Sequence, residues 1–382
     1  MRTLYLHIGF HKTGSTSLQL ALTRGREQLL AEGYEFVALG KKGNSSGAID
    51  VGKHDGRVCY SLNERFDQLL SSSKAEHVIV SAEHFSFFHT PEEIGQVQRL
   101  CERYFDRTVV VVYLRRQDRQ AVSFKQQAAR GCERDRSSSS KLLGHDGGAF
   151  PQLTECVRAY YDYSAKLHLW AERFGKDALR VRRFQASDLE GGDIVTDFVA
   201  LLGTGVELEP CRVNECVSRK EFVLSHRLIE LGLDPRQLKK LKPRMQRDET
   251  RLKPARNSAE AFYRQFESSN RDLDQHFLPH ASGLAFSDDF DGYPEVGNDR
   301  LLVEDVADWT VDLLETGLRK PLELRDALLL EPLQALCDEA GVETERGREL
   351  LSLRQCLEPT AAVEPEPNRW WERLRGRKRN GR

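Results

Sequence analysis

No stretch of this 382-residue chain approaches the ~18 consecutive apolar residues that a membrane-spanning helix needs, and no signal-peptide pattern precedes the strand-like run at Leu4. Both absences set the expectation of a cytoplasmic protein. Cysteine is sparse: eight residues at scattered positions, with no CxxC pair and no Cys/His cluster of zinc-ligand spacing. The sequence therefore predicts reduced thiols and no metal. An excess of one charge is missing as well, with 57 Lys and Arg against 59 Asp and Glu. The balance is uneven, however. Seven of the basic residues and one acid fall after position 368, giving a tail of +6 and leaving a body of −8. What remains is 39% hydrophobic and 30% charged, the profile of a globular chain long enough for two or three domains.

Leu4–Ile8 reads as a strand, followed by a glycine-containing turn and a helix over 17–30. Residues 40–56 read as a loop. His77–Ser81 forms a second short strand, and Thr90-Pro-Glu-Glu93 marks the start of a helix to about Phe105, with Thr90 as N-cap and Pro91 at the first helical position. Thr108–Tyr113 is an unbroken run rich in β-branched residues, as in the middle of a parallel sheet covered on both faces, and leads into a helix over 116–130. Residues 131–149 have no periodicity and read as a loop insertion. A helix over 152–174, a strand over 179–184 and a helix over 193–202 closed by Gly203 follow. Beyond Asn214 the pattern is helical, at 220–232, 256–277, 299–318, 322–340 and 344–357, before a Pro/Glu-rich linker from Glu358 to Pro367. Alternating strands and helices predict an α/β fold: a parallel central sheet flanked by helices, with extra C-terminal helices.

The turn Gly9-Phe-His-Lys-Thr-Gly-Ser-Thr16 lies between the first strand and the first helix, where backbone N–H groups and the positive helix end hold a phosphate. A triphosphate-binding loop reads GxxxxGK[ST]; here Ser15 takes the lysine's place and the lysine moves inside the loop as Lys12. The strands at 77–81 and 108–113 end in Ser81 and Tyr113, so neither closes on the acid that would hold magnesium. Both features weigh against a kinase or ATPase.

The segment Phe10-His-Lys-Thr-Gly-Ser-Thr-Ser17 resembles the 5′-phosphosulfate loop of sulfotransferases that use 3′-phosphoadenosine 5′-phosphosulfate (PAPS). Leu114-Arg115 through Ser123 is similar to that family's second signature, a strand-ending arginine and, eight residues on, a helical serine that clamp the 3′-phosphate. Ser81-Ala-Glu-His-Phe85, Phe184–Leu189 leading into Asp197-Phe198 and Leu202-Gly203, and Asn214–Ser218 are similar to later blocks of bacterial-type members. The chain departs from the pattern with Arg116-Gln117 where Asp-Pro often follows the arginine, and it lacks the Arg-Lys-Gly segment of cytosolic members. The resemblance covers about residues 3–295. It implies a P-loop NTPase-like sulfotransferase fold, PAPS as sulfuryl donor without a metal, and a hydroxyl or amine acceptor on a small molecule or glycan, with a carbohydrate or glycolipid expected.

The residue chemistry agrees, because a donor with phosphates at both ends needs two anion sites. His11, Lys12, Thr13, Gly14, Ser15, Thr16 and Ser17 form one, and Arg115 with Ser123 the other, at the carboxyl edge of the sheet where open α/β folds take ligands. Arginine suits phosphate because its fork donates two parallel hydrogen bonds. Lys12 is placed to meet charge growing on the leaving group. Glu83 and His84 are the candidate bases, with Glu83 favoured by the resemblance and one of the two expected to orient the other. His7 reads as a packed core histidine, and Arg116 and Arg119 as solvated. Asn214 and Ser218-Arg219-Lys220 fit either an approach to the donor or a helix cap and a charged turn. Arg130, Arg134, Arg136 and Lys141 flank the insertion and suit an anionic acceptor or simply solvent.

Three parts are expected: a sulfotransferase domain (1–295), a helical extension (296–357), and the linker with a basic tail (358–382). The tail pairs Trp370 and Trp371 with clustered arginines, which fits peripheral membrane contact, nonspecific nucleic-acid binding or a solubilising end, and no specific nucleic-acid partner is expected. Two other readings stay open: a divergent P-loop nucleotide kinase, and a non-catalytic nucleotide-binding protein of the same fold.

Overall fold

The computed structural model describes residues 1–54, 57–131, 138–211, 217–230, 238, 250–279, 283–302, 305, 334–335, 337–338, 341 and 344–357. Asn214, Arg134, Arg136, the tail and most of the helices expected at 299–318 and 322–340 lie outside them. The chain divides into two compact units, residues 1–301 and 302–382. The second contains the helix Glu345–Leu357.

The first unit is built on a sheet of five parallel strands in the order β2-β5-β1-β6-β7, with β1 at Thr3–His7, β2 at Tyr34–Phe36, β5 at His77–Ser81, β6 at Arg107–Leu114 and β7 at Leu179–Arg183. The α/β architecture is as the sequence indicates. Leu6 of β1 pairs with Val80 and Val110, so β1 runs between β5 and β6. Because the chain adds strands first on one side of β1 and then on the other, the carboxyl end of β1 is a topological switch point. Alternate residues face opposite layers. Leu4, Leu6, Val78, Val80, Val110 and Val112 belong to one buried cluster; Ile79, Val109, Val111 and Tyr113 belong to another. Covering on both faces is why β6 is an unbroken apolar run rather than an alternating one.

Helices α1 (Ser15–Arg24) and α2 (Arg26–Ala31) follow β1, α3 (Glu64–Ser72) precedes β5, α4 (Pro91–Tyr104) follows it, and α5 (Gln117–Gly131) follows β6. The N-terminus of α4 carries the expected capping box of Thr90 and Glu93. Several expectations need correction. The helix read over 17–30 breaks at Gly25, which caps both halves with φ −89° and ψ 16°; a Cβ there would lie 2.2 Å from Leu208 Cδ2, so the close packing requires glycine. The loop read over 40–56 contains β3 (Ile49–His54), which pairs antiparallel with β4 (Arg57–Leu62). The insertion 131–149 contains a short helix, α6 (Ser138–Leu143), anchored by buried Leu143. The helix read over 152–174 is two, α7 (Glu155–Tyr161) and α8 (Tyr163–Phe174), divided at Asp162, whose carboxylate accepts from Ala165 N and Ser269 Oγ. After β7 come α9 (Ile194–Leu202), ending at left-handed Gly203, and α10 (Arg219–Glu230). The helix read over 256–277 is also two, α11 (Arg256–Arg264) and α12 (Glu267–His276). Among the described residues no helix is long and apolar enough to cross a membrane.

Candidate active site

The turn after β1 is fixed by its own backbone chemistry. Gly9 has φ 64°, and a Cβ there would lie 2.9 Å from Glu83 Cα, so only glycine lets the turn pass beneath the end of β5. Thr13 Oγ1 and Ser15 Oγ donate to Phe10 O at 2.7 and 3.3 Å, folding the loop onto itself. Gly14 (φ 80°) is the N-cap of α1, without a side-chain cap, and the first turn holds no acid. The N–H groups at the start of α1 thus have no capping side chain to compete with an anion. Among the described residues Lys12 is the one non-glycine with positive φ, 67°, a conformation costing on the order of 1 kcal/mol. Strain of that kind concentrates at functional loops.

Two other strand ends converge on this loop. From β6, Arg115 Nη1 donates to Lys12 O at 3.4 Å, and the Arg115 carbonyl accepts from Tyr163 Oη at 3.0 Å. From β5, the chain enters a short 3₁₀ turn, Glu83–Phe87, that puts Glu83 in hydrogen-bond contact with the Ser15 side chain and within the field of Lys12. Burial raises the Glu83 carboxyl above the usual carboxylate range, while the Ser15 hydrogen bond and the Lys12 charge oppose the rise. His84 is one step removed. Its backbone N–H donates to Ser46 Oγ at 3.1 Å, its ring lies 6.1 Å from that of His11, and burial lowers it to about 4.

His11 is buried, its ring stacked on Phe124 at 4.2 Å and its Nδ1 3.0 Å from Tyr160 Oη. Gln120 Nε2 donates to His11 O at 2.8 Å, so α5 holds the loop backbone from below. Thr16 is exposed and Ser17 half-buried at the start of α1. Ser123 is half-buried on the second turn of α5. Lys12, Thr13, Gly14, Ser15, Arg115 and Glu83 are therefore brought together by direct contacts or contiguity, whereas Ser123 and His84 stand at the margin.

Two clefts open beside this centre. One, of about 180 Å³, is lined by Arg115, Arg116, Arg119, Arg183, Phe184 and Phe286 among others. Arg116 is not solvated as its sequence setting suggests: it is buried, paired with Asp118 at 2.8 Å and donating to the carbonyls of Ser287 and Asp289. Arg183 is likewise held by the carbonyls of Leu278, Pro279 and Ala285. Arg119, about one turn along from Arg115, is exposed at the cleft; its spacing of four from Arg115 was the signal available for it. The second cleft, about 60 Å³, is lined by Tyr60, Phe87, Lys141, Tyr160 and Lys166 among others. Lys166 gave no sequence signal. It is buried on α8, donates to Ser86 O at 2.5 Å, lies 5.4 Å from the Tyr160 ring, and is pushed down to about 7 by burial.

Ser218 caps α10 by accepting from Glu221 N at 3.2 Å, and Arg219 and Lys220 are buried rather than forming an exposed turn. His7 is a packed core histidine bonded to Ser81 Oγ at 2.8 Å.

No family model matches the chain, and no curated protein does. A crystal structure of a sulfotransferase from Alicyclobacillus acidocaldarius is similar to it at 17% identity and a TM-score of 0.37, over 73% of this chain and 98% of that one.

Proposed function

We propose that the chain is a sulfotransferase that uses PAPS to sulfate a hydroxyl or amine, on a small molecule or glycan. The observation that carries this reading is the meeting of three strand ends: the loop Gly9–Thr16 after β1, Arg115 after β6 touching Lys12, and Glu83 after β5 packed closely over Gly9. The cradle fits such a donor. Glycines stand where a Cβ would collide at Gly9 and Gly14, the α1 N-terminus has no side-chain cap, and a cleft opens beside Arg115. When bound, the donor supplies a sulfuryl group on a good phosphate leaving group.

The chain's own residues divide the remaining work. The loop amides with the Thr16 and Ser17 hydroxyls hold the 5′ end, while Thr13 and Ser15 shape the loop through Phe10 O, and Arg115, with Arg119 and Ser123 nearby, takes the 3′-phosphate. Lys12 faces the charge that grows on the leaving oxygen as the S–O bond breaks. Glu83 accepts the proton of the acceptor as its oxygen or nitrogen bonds to sulfur; burial, by raising the carboxyl, makes it a better base than an exposed glutamate. The smaller cleft, with Lys141 at its mouth and aromatic walls, is the acceptor's side.

The test is thermal. At 100-fold its dissociation constant, 3′-phosphoadenosine 5′-phosphate should stabilise the chain by about 2.7 kcal/mol without magnesium. Arg115→Ala should lose most of that rise in Tm. Stabilisation by Mg·ATP in place of the 3′-phosphorylated nucleotide would overturn the reading, and an unchanged response in Arg115→Ala would remove Arg115 from the site.

A further inference from the structure

Away from the strand-end site, two imidazoles and one carboxylate converge between α8 and α12. His168 Nε2 lies 2.8 Å from Asp272 Oδ2, and His276 Nδ1 lies 3.1 Å from Asp272 Oδ1. One ligand atom from each of the three falls within 4.8 Å of the others. We propose that His168, Asp272 and His276 bind a transition-metal ion, with zinc the best match.

The chemistry selects the class of ion. Two of the three donors are imidazole nitrogens, which suit zinc, copper and nickel and disfavour magnesium and calcium, whose preference is for oxygen. Around a tetrahedral zinc with bonds of about 2.0–2.1 Å, donor atoms sit roughly 3.3–3.5 Å apart. The two imidazole–carboxylate separations, 2.8 and 3.1 Å, lie within about half an ångström of that range, and the three donor atoms all lie within 4.8 Å of one another, so side-chain rotations open the pocket to the ion. His276 and Asp272 are four apart and share one face of α12, while His168 meets them from α8.

The surroundings resemble a supporting shell. Ser164 Oγ, one turn before His168, donates to Asp272 Oδ2 and orients the carboxylate. The Phe277 ring packs edge-on against His168 at 4.9 Å and limits its swing. His276 is exposed, leaving a fourth position open to water. A bound ion would cross-link α8, which carries Lys166 on its core side, to α12. Its role is then to staple the scaffold and not to perform the transfer chemistry. Scanning for ligand spacing cannot find such a site, because Asp272 is 104 residues from His168.

The experiment uses the full chain stripped with a chelator and then titrated with Zn²⁺, following stoichiometry by elemental analysis and Tm by calorimetry. The wild type should retain one equivalent of zinc more than His168→Asn/His276→Asn, and its Tm should rise with zinc where the variant's does not. His276→Asn alone, at an exposed position, removes a direct ligand and should weaken binding by more than the roughly 10–100-fold that loss of an orienting partner costs, with little change in metal-free Tm. Co²⁺ should give the visible absorption of a four-coordinate nitrogen and oxygen site in the wild type and lose it in His276→Asn. Equal zinc stoichiometry and equal zinc-induced stabilisation in wild type and His276→Asn would overturn the proposal, leaving the cluster as a hydrogen-bonded network.

Discussion

Glu83 is under opposing pressures, since burial favours its neutral form while Ser15 and Lys12 favour the carboxylate. The net result is a folded-state pKa above the unfolded one. Such a group contributes stability below its unfolded pKa, and that contribution is lost as pH rises through the raised value. Once pH exceeds that raised value, ionised Glu83 therefore weakens the fold that it serves. Glu83→Gln should lower turnover by roughly 10²–10⁴-fold, as expected for loss of a general base, and should hold or raise Tm above neutral pH. Turnover and Tm measured over a pH series check both halves. Full activity in Glu83→Gln would move the base role to His84, which burial keeps neutral by lowering it to about 4. Retained binding of 3′-phosphoadenosine 5′-phosphate with lost turnover would also separate chemistry from cradle, because the loop's amides and Arg115 do not depend on the carboxyl's proton-accepting capacity.

At the scale of elements, Arg116 shows what joins the start of α5 to the segment after α12. It pairs with buried Asp118, donates to the Ser287 and Asp289 carbonyls, and lies 4.3 Å over the Phe290 ring. Arg116→Ala strands a buried carboxylate and should cost about 3–5 kcal/mol, whereas Arg119→Ala, at an exposed position, should stay within about 0.5 kcal/mol. Urea midpoints of the two variants decide this, and equal midpoints would show that Arg116 anchors nothing. The same contrast explains what could be read from the sequence. Strands β1, β5 and β6 were legible because two-sided burial leaves continuous apolar runs, which β2, β3 and β4 do not show, and the start of α4 and the end of α9 because their caps, Thr90 with Glu93 and Gly203, are local. The placement of the loop and Arg115 at neighbouring strand ends was legible because glycines, hydroxyls and a strand-ending cation stand at short spacing from runs that are themselves strand-like. Arg116, Lys166 and Lys220 were not, since the burial of a cation is decided by distant partners: the acceptor of Lys166 is a carbonyl 80 positions away. The break between α7 and α8 was hidden for a related reason. Asp162 is held by Ser269, which the helical periodicity around it does not reveal.

For the whole molecule, net charge and burial make opposite demands as pH falls. The body carries −8, so protonating exposed carboxylates relieves repulsion and should mildly stabilise it. Against this stand histidines sealed in the core. His7, fully buried, is lowered to about 3 by desolvation, and His11 is lowered well below its ordinary value, by burial first and then by the nearby His84, Lys12 and Lys166. Their folded pKa values lie below the unfolded value of 6.5, so the stability that they contribute is present above 6.5 and lost as pH falls beneath it. Each costs up to about 1.4 kcal/mol per pH unit over that interval, because the unfolded chain takes up a proton that the folded chain refuses. Denaturant-derived stability should therefore fall between pH 6.5 and about 4, despite the relief of negative charge. The number of protons taken up on unfolding, read from the slope, should drop by about one in His7→Leu. The slope is the diagnostic quantity, because losing the hydrogen bond to Ser81 lowers stability at every pH without tilting it. A flat profile over this interval in the wild type would mean that water or a rearranged core admits the protonated rings, and that His7 and His11 are less sealed than their packing indicates.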